Sequence, residues 1–355
     1  MMRLILFWLI SVFMLFGCSK SPQKTGIDFS FAADERLFTA HAFMNMAGFD
    51  LEYRQEGMHP IRIEIRDKLR QRLSPQYLDS INIYYRNHIH SLGDYGTYAF
   101  TLSPPPEFKL QLDSASSSSW VAADVKQLPE LNSLLREFYS KADISTLWAE
   151  YEPRLQEYHD RFAPFAEQAF NDLKEFLGVT ELPSDMGKGK IITAYSPLMS
   201  YFNAFTVIVN NDVYIVNGPM DSEPSPSSYY HEAAHHFVDR AVNDNALLLE
   251  RIQPLLHYAE EKNAGIAYAV MEESLVRAIQ ILLDEQLFSR TTEKTLEATN
   301  NEYRFGFILC PYFVENLPEF SATGKSFEEY FPELITGIDI DHEIQRLDKF
   351  LNNGN

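Results

Sequence analysis

The chain has 355 residues, and its hydrophobic share of 45% is ordinary for a packed globular protein, which argues against general disorder. Its formal net charge is −20 and it has no long basic run, so we expect no nucleic acid partner, because phosphate binding needs clustered Lys and Arg. The two cysteines predict no disulfide framework: Cys18 closes an apolar leader, and Cys310 lies in an apolar stretch where we expect a buried small side chain.

Residues 1–17 are predicted to form a signal peptide, because one positive charge precedes an apolar run that is too short for a comfortable membrane span. The run closes on Leu-Phe-Gly-Cys at Cys18, which resembles the lipobox of bacterial lipoproteins, although Phe16 is bulkier than usual. The resemblance implies a lipid on Cys18, with residues 18–26 as the lipidated cysteine and a flexible tether. Ser19 favours the outer membrane of the bacterial cell envelope over the inner one. The alternative is an ordinary cleaved signal with a chance cysteine.

The remaining chain, residues 27–355, is predicted to be one domain of the α+β class that is mainly helical. Residues 27–190 are expected to form a mostly helical N-terminal part, because few helix breakers interrupt residues 29–92 and apolar residues recur at helical spacing after 128, as at Leu131, Leu134, Leu135 and Phe138. Loops are expected at 103–106 and 114–119, with a short strand at 108–112 between them. Residues 191–355 are expected to form the half that carries the functional site. No internal repeat divides the chain.

Three short strands are predicted before a long helix that starts around Tyr229. They cover 191–195, 205–209 and 213–216, and Asn-Asn-Asp at 210–212 suits a tight hairpin turn between the last two. The strand at 213–216 is expected to form a sheet edge with which an extended peptide pairs. The long helix therefore follows directly after a small sheet.

The long helix carries the motif His231-Glu232-Ala233-Ala234-His235. His231 and His235 are four residues apart, so their imidazoles project from one face of the helix, about one turn apart. Two neutral imidazole nitrogens at that separation can hold one Zn²⁺, and Glu232 can approach water at the metal. The residues therefore predict a zinc site in which Glu232 is the catalytic base.

Other polar residues near the motif have less definite predicted roles. His236 points away from the two ligands by helix geometry and is expected to be a structural or surface residue. Asp239 is expected to be solvated, or else to support a ligand. An oxyanion donor is also expected, and the sequence does not choose among Tyr229, Tyr230, Tyr303 and Tyr312.

A catalytic zinc needs a third protein ligand, and we expect it on a later helix within residues 263–284. Within it, residues 268–278 form an apolar helix that carries two adjacent carboxylates, Glu272 and Glu273, and acidic groups that face a core are costly unless they are paired or bind a metal. Helical periodicity leaves open which of the two faces the site.

The order of the two helices resembles the gluzincin pattern, in which HExxH is followed by a helix that supplies a Glu ligand. More narrowly, the block Glu-Ser-Leu-Val-Arg-Ala that begins at Glu273 resembles the DUF4932 family of exported peptidases, over roughly residues 130–320. The resemblance implies a zincin-like fold with Glu273 as the third ligand. It also implies that Arg277, one turn further on, steadies the carboxylates.

The sequence thus predicts a zinc metallopeptidase that acts on a peptide or protein substrate and is held at a membrane by the lipid on Cys18. Two alternatives remain at this stage. One is a zincin-like binding module without catalytic activity, and the other is a structural envelope lipoprotein in which the histidines are incidental. The substrate, the cleavage mode and the oligomeric state are not predicted.

Overall fold

The computed structural model describes most of the chain after residue 28. The predicted signal peptide, Cys18 and the tether lie outside the described residues, which are 29–31, 33–49, 58–112, 119–179, 189–200, 203–262, 264 and 270–353. Helices predominate among them, beside one small sheet, so the expected α+β, mainly helical class is confirmed. No helix in the described ranges combines the length and the apolar character needed to cross a membrane.

The sheet has four strands in the spatial order β1-β2-β4-β3. β1, β2 and β4 are parallel, whereas β3 runs antiparallel to β4. The predicted hairpin is confirmed: Asn210 and Asn211 both have positive φ, a conformation that Asn tolerates better than most residues. The strands are β1 (Phe29–Phe31), β2 (Ile191–Tyr195), β3 (Ala204–Val209) and β4 (Asp212–Asn217).

Two strand predictions need correction. β4 was expected at a sheet edge, but it lies between β2 and β3, and all of its residues after Asp212 are buried. The edge strand is β3, whose residues are mostly half-buried. β1 falls where the sequence predicts mainly helix; it has only three residues, too few for a periodic signal, and its place in the sheet depends on pairing with β2.

The described residues of the N-terminal part form eight helices, as the helical spacing predicts. Helix α1 is nearly all buried, so the other helices surround it. It begins after Asp34, whose carboxylate accepts two backbone N–H groups, and it ends at Gly48 with φ of 103°. The eight are α1 (Glu35–Ala47), α2 (Pro60–Arg72), α3 (Pro75–Asn87), α4 (Leu92–Phe100), α5 (Ser119–Gln127), α6 (Leu131–Lys141), α7 (Ile144–Phe162) and α8 (Pro164–Phe176).

After the sheet, the described residues form mainly helices. Helices α9 and α12 pack against each other, and Cys310 is free and fully buried, as predicted. The elements are α9 (Ser227–Asp244), α10 (Ala246–Leu249), a 3₁₀ turn (Glu250–Ile252), α11 (Gln253–Glu261), α12 (Val270–Phe288), α13 (Thr292–Arg304), α14 (Cys310–Phe320), α15 (Phe327–Thr336) and α16 (Ile340–Asn353).

The sheet separates two hydrophobic cores. Side chains alternate across a strand, so Val213 and Ile215 of β4 enter the core that contains α9 and α12, whereas Tyr214 and Val216 enter the core around α1. Helix α8 belongs to the first core and packs on α9. Most of the N-terminal helices therefore lie against one face of the sheet, whereas α8 joins α9 and α12 on the face beside the histidine motif.

Candidate metal centre

Helix α9 presents the two histidines from one face while its opposite face is anchored in the core. Ala233 and Ala234 are fully buried in that core, and Val238 continues the buried face one turn further on. His231 and His235 are only partly buried, and both line a large cleft. The local sequence thus holds the helix in place and leaves the imidazoles open to a ligand.

Helix α12 brings Glu273 to the same point. The Nε2 atoms of His231 and His235 are 3.4 Å apart. Glu273 Oε2 lies 3.6 Å from His231 Nε2, and Glu273 Oε1 lies 3.4 Å from His235 Nε2. These three residues form a group that could hold a metal ion, with all ligand atoms within 4.8 Å of one another.

The separations fit zinc. Ligand atoms about 2.0–2.2 Å from a tetrahedral zinc ion lie about 3.4 Å from one another. The two Nε2 atoms are 3.4 Å apart, and the carboxylate of Glu273 approaches them through its two different oxygens, at 3.6 Å and 3.4 Å. The donor set of two imidazoles and one carboxylate is one that zinc prefers. The residues present therefore suit this ion in geometry and in chemistry.

Glu272 occupies a different place from Glu273. Its Oε1 lies 2.7 Å from Nδ1 of His235, on the opposite side of the ring from the nitrogen that faces His231. A carboxylate at Nδ1 fixes the N–H on that nitrogen, so the neutral ring offers the lone pair of Nε2 to a metal. Burial acts to lower the pKa of His235, but the hydrogen bonds with Glu272 and Glu273 outweigh it and raise that pKa to about 10, so a metal would have to displace the proton on Nε2. The two carboxylates that the sequence left undecided thus contact different atoms: Glu273 approaches Nε2, and Glu272 orients the ring.

Arg277 supports Glu273 from the next turn of α12. Its Nε lies 3.3 Å from Glu273 Oε2, and its Nη1 donates to Glu302 Oε2 at 2.8 Å. The guanidinium also stacks 3.9 Å from the ring centre of Phe307. The predicted contact between Arg277 and Glu273 is present, but sequence reasoning missed Glu302 and Phe307. No short-range signal links them, because they lie on α13 and just after it.

Burial and neighbouring charge shift the pKa values of these groups. Burial raises the pKa of Glu232 to about 7. The pKa of Glu273 falls to about 2: burial acts to raise it, and the nearby histidines and Arg277 outweigh that effect. Burial, together with the neighbouring His235, lowers the pKa of His231 to about 3, which keeps this imidazole neutral and able to bind a metal.

His236 connects α9 to the edge strand. Thr206 of β3 donates its hydroxyl to Tyr214 O at 3.1 Å, and its Oγ1 lies 2.5 Å from His236 Nε2. The hydroxyl proton is committed to Tyr214, so Thr206 accepts from the N–H of His236. Burial lowers the pKa of His236 to about 3, so the ring is neutral. His236 is therefore structural, one of the two predicted alternatives, and it holds β3 beside the ligand helix.

The site opens into a cleft of about 1410 Å³. Its walls include α9, α12, residues 204–208 of β3 and the N-terminal end of α4. Gly96 allows α4 to lie against β3, since a Cβ there would be 2.6 Å from Cζ of Phe205. The contribution of α4 was not predicted, because it depends on contacts between residues about a hundred positions apart.

None of the four tyrosines considered as oxyanion donors lines this cleft in the described part of the chain. Tyr230 donates to Asp172 at 2.6 Å, Tyr312 donates to Leu334 O at 2.7 Å, and Tyr303 packs against Phe350. Tyr229 is buried in the core. These contacts explain why the four tyrosines lie in the interior of the protein and not in the cleft. Asp239 does line the cleft, is exposed, and accepts an N–H from Asn243 at 2.7 Å.

Comparison of the chain with protein-family models, with curated proteins and with solved structures finds no match in any of the three. The geometry of the site therefore carries the functional argument.

Proposed function

We propose that this protein is a zinc-dependent metallopeptidase of the gluzincin type, with His231, His235 and Glu273 as metal ligands. The observation that carries the proposal is the convergence of two imidazole nitrogens, 3.4 Å apart, with the carboxylate of Glu273, whose oxygens lie 3.6 and 3.4 Å from them. Structural zinc sites are closed by four protein ligands, whereas catalytic sites use three and keep one position open. The described residues supply three.

The order of the elements around the site also supports a zincin-like fold. A small sheet with one antiparallel edge strand precedes the helix with the two histidines, and a second helix supplies the glutamate. This order is the one implied by the resemblance to gluzincins and to the DUF4932 family. We propose that relationship on the arrangement of α9 and α12, not on overall similarity.

The proposed reaction is hydrolysis of a peptide bond. Zinc supplies Lewis acidity, which activates water and polarises the carbonyl group. Glu232 accepts a proton from the attacking water and passes it to the leaving amine. Glu232 lines the cleft between the two histidines on α9, which places its carboxylate to accept and return this proton. Arg277 and Glu272 hold the ligand side chains in place.

The edge strand supports a peptide as the substrate. β3 pairs with β4 on one side only, and its residues line the cleft beside the histidines. An extended peptide that pairs with the open edge would run past Glu232 with its backbone held by main-chain hydrogen bonds. The binding strand is therefore β3, in place of the strand predicted from sequence.

We also propose that the protein is anchored in the bacterial cell envelope by a lipid on Cys18, with the outer membrane as its destination. This part of the proposal depends on the lipobox alone. Metabolic labelling with a fatty acid tests it: the label is expected in the wild-type protein and absent from Cys18→Ser. A label that persists in Cys18→Ser would contradict the anchor without affecting the metal site.

Zinc content and peptide cleavage test the enzymatic proposal. Soluble protein that begins at Ser19 is analysed for metal by plasma mass spectrometry and incubated with a mixed peptide library. Wild type is expected to hold about one zinc per chain and to cleave peptides. Glu232→Gln is the matched variant: it is expected to keep the zinc and to lose activity by about 100-fold or more.

Two results would overturn the proposal. Wild-type protein without zinc, even after reconstitution, would remove the metal centre. Wild-type protein that retains zinc but cleaves no peptide would instead support a zincin-like binding module without catalytic activity.

A further inference from the structure

The cleft beside the metal centre is richer in carboxylates than the rest of the chain. Its lining contains seven acidic residues and two arginines among 29 residues, against 50 acidic and 30 basic residues in the 355 of the whole sequence. The acidity of the cleft therefore exceeds the general acidity of the protein. A divalent ion would offset only part of this excess.

Both arginines of the cleft already have anionic partners. Arg277 lies between Glu273 and Glu302, and Arg290 Nη2 pairs with Asp284 Oδ2 at 3.2 Å. Neither is available to a negatively charged ligand without breaking an ion pair. Both arginines in the lining thus form ion pairs within the protein.

Three further carboxylates line the cleft from different walls. Asp94 lies at the start of α4, where it accepts the backbone N–H of Ser91 and lies 3.6 Å from His90 Nδ1, and about a third of its side chain is exposed. Glu223 lies on the exposed loop before α9, and no described cation pairs with it. Asp239 lies on α9, one turn beyond His235, and is also exposed. They surround the cleft and focus negative potential into it.

We propose that the cleft selects extended peptides with basic side chains on both sides of the residue presented to Glu232. The inference rests on the proposed function and adds a substrate class to it. Two independent observations support it: the edge strand β3 offers its backbone to an extended peptide, and the excess of carboxylates over arginines in the cleft lining favours Lys or Arg side chains. A peptide with acidic flanks meets repulsion from the same groups.

Binding to Glu232→Gln tests the inference without turnover. Two peptides of ten residues share a neutral centre, and one has Arg and Lys on both flanks where the other has Glu. Fluorescence anisotropy at low salt is expected to show at least tenfold tighter binding of the basic peptide. The advantage is expected to shrink at about 0.3 M salt, because exposed charges are screened there.

Single neutral substitutions identify the responsible groups. Glu223→Gln and Asp94→Asn are each expected to reduce the preference for the basic peptide by about threefold, the size of one exposed ion pair. Glu157→Gln is the matched control: Glu157 is exposed on α7 and lies outside the cleft lining, so its substitution is expected to leave the preference unchanged.

Equal affinity for the two peptides, a preference for the acidic one, or a basic preference unaffected by both cleft variants would each overturn the inference. Zinc content and cleavage of neutral library peptides, measured in parallel on wild type, separate this outcome from failure of the proposed function. A zinc enzyme that cleaves without charge preference contradicts the substrate class alone. Protein without zinc and without cleavage contradicts both.

Discussion

Glu272 Oε1 lies 2.7 Å from His235 Nδ1, while the other nitrogen of that ring faces Glu273 and His231. The two adjacent glutamates of α12 thus contact opposite sides of one imidazole. Glu272 determines which nitrogen carries the proton, and Glu273 completes the group that could hold the metal. Their substitutions are therefore expected to have different consequences.

Glu273→Gln is expected to abolish tight zinc binding, because it removes the only carboxylate from the three-ligand group. Glu272→Gln is expected to retain zinc with an affinity about 10–100-fold lower, since the ring of His235 loses its orienting carboxylate but keeps its lone pair. Competition with a chromogenic chelator measures both affinities. Equal loss of zinc in the two variants would contradict the assignment of different roles.

Arg277→Met is expected to weaken zinc binding by about tenfold, because Glu273 loses the cation that fixes its orientation. Glu302→Gln neutralises the carboxylate that pairs with Nη1 of Arg277, and it is expected to weaken zinc binding by a smaller factor. Chelator competition again measures both. If zinc affinity remained at the wild-type value in Arg277→Met, the guanidinium would have no role in holding the ligand.

Thr206→Val is expected to lower the free energy of unfolding by about 1–3 kcal/mol, because the buried N–H of His236 loses its acceptor. Thr206→Ser keeps the hydroxyl and serves as the matched control, with a smaller loss expected. Urea denaturation measures both. A loss as large in Ser as in Val would show that the methyl group, not the hydrogen bond to His236, stabilises this strand.

Stability is expected to fall as the pH drops below about 6.5, in part because of His41. Burial lowers the pKa of His41 to about 3, and its ring contacts Ser196 Oγ at 2.6 Å and Leu92 O at 3.0 Å. Between these two pKa values the imidazole of His41 is protonated in the unfolded chain and neutral in the folded chain. The contribution of His41 to stability is therefore complete above the unfolded pKa of 6.5 and is lost towards pH 3.

His41→Gln removes the titrating imidazole. Below pH 6.5 the slope of the unfolding free energy against pH is expected to decrease by up to about 1.4 kcal/mol per pH unit. Urea unfolding of wild type and variant at pH 7, 6 and 5 measures the difference. Gln is uncharged across this range, so any intrinsic destabilisation shifts the whole curve without changing its slope. Parallel curves would show that His41 does not titrate on unfolding.

The amino-acid sequence alone predicted the elements that depend on near neighbours. The spacing of His231 and His235 determines that both imidazoles project from one face of a helix, because helical geometry repeats every 3.6 residues. The hairpin between β3 and β4 follows from the tolerance of Asn210 and Asn211 for positive φ. The apolar periodicity predicted the mainly helical class for the same local reason.

Only the tertiary structure decided the relationships between distant segments. Glu272 and Glu273 are adjacent and both acidic, so the packing of α12 on α9, not periodicity, places one at Nε2 and the other at Nδ1 of His235. Both strands of the hairpin are apolar, so pairing with β2 alone determines that β4 is interior and β3 is the edge. The contact of Thr206 with His236 and the wall formed by α4 likewise join residues far apart in sequence, where no local rule applies.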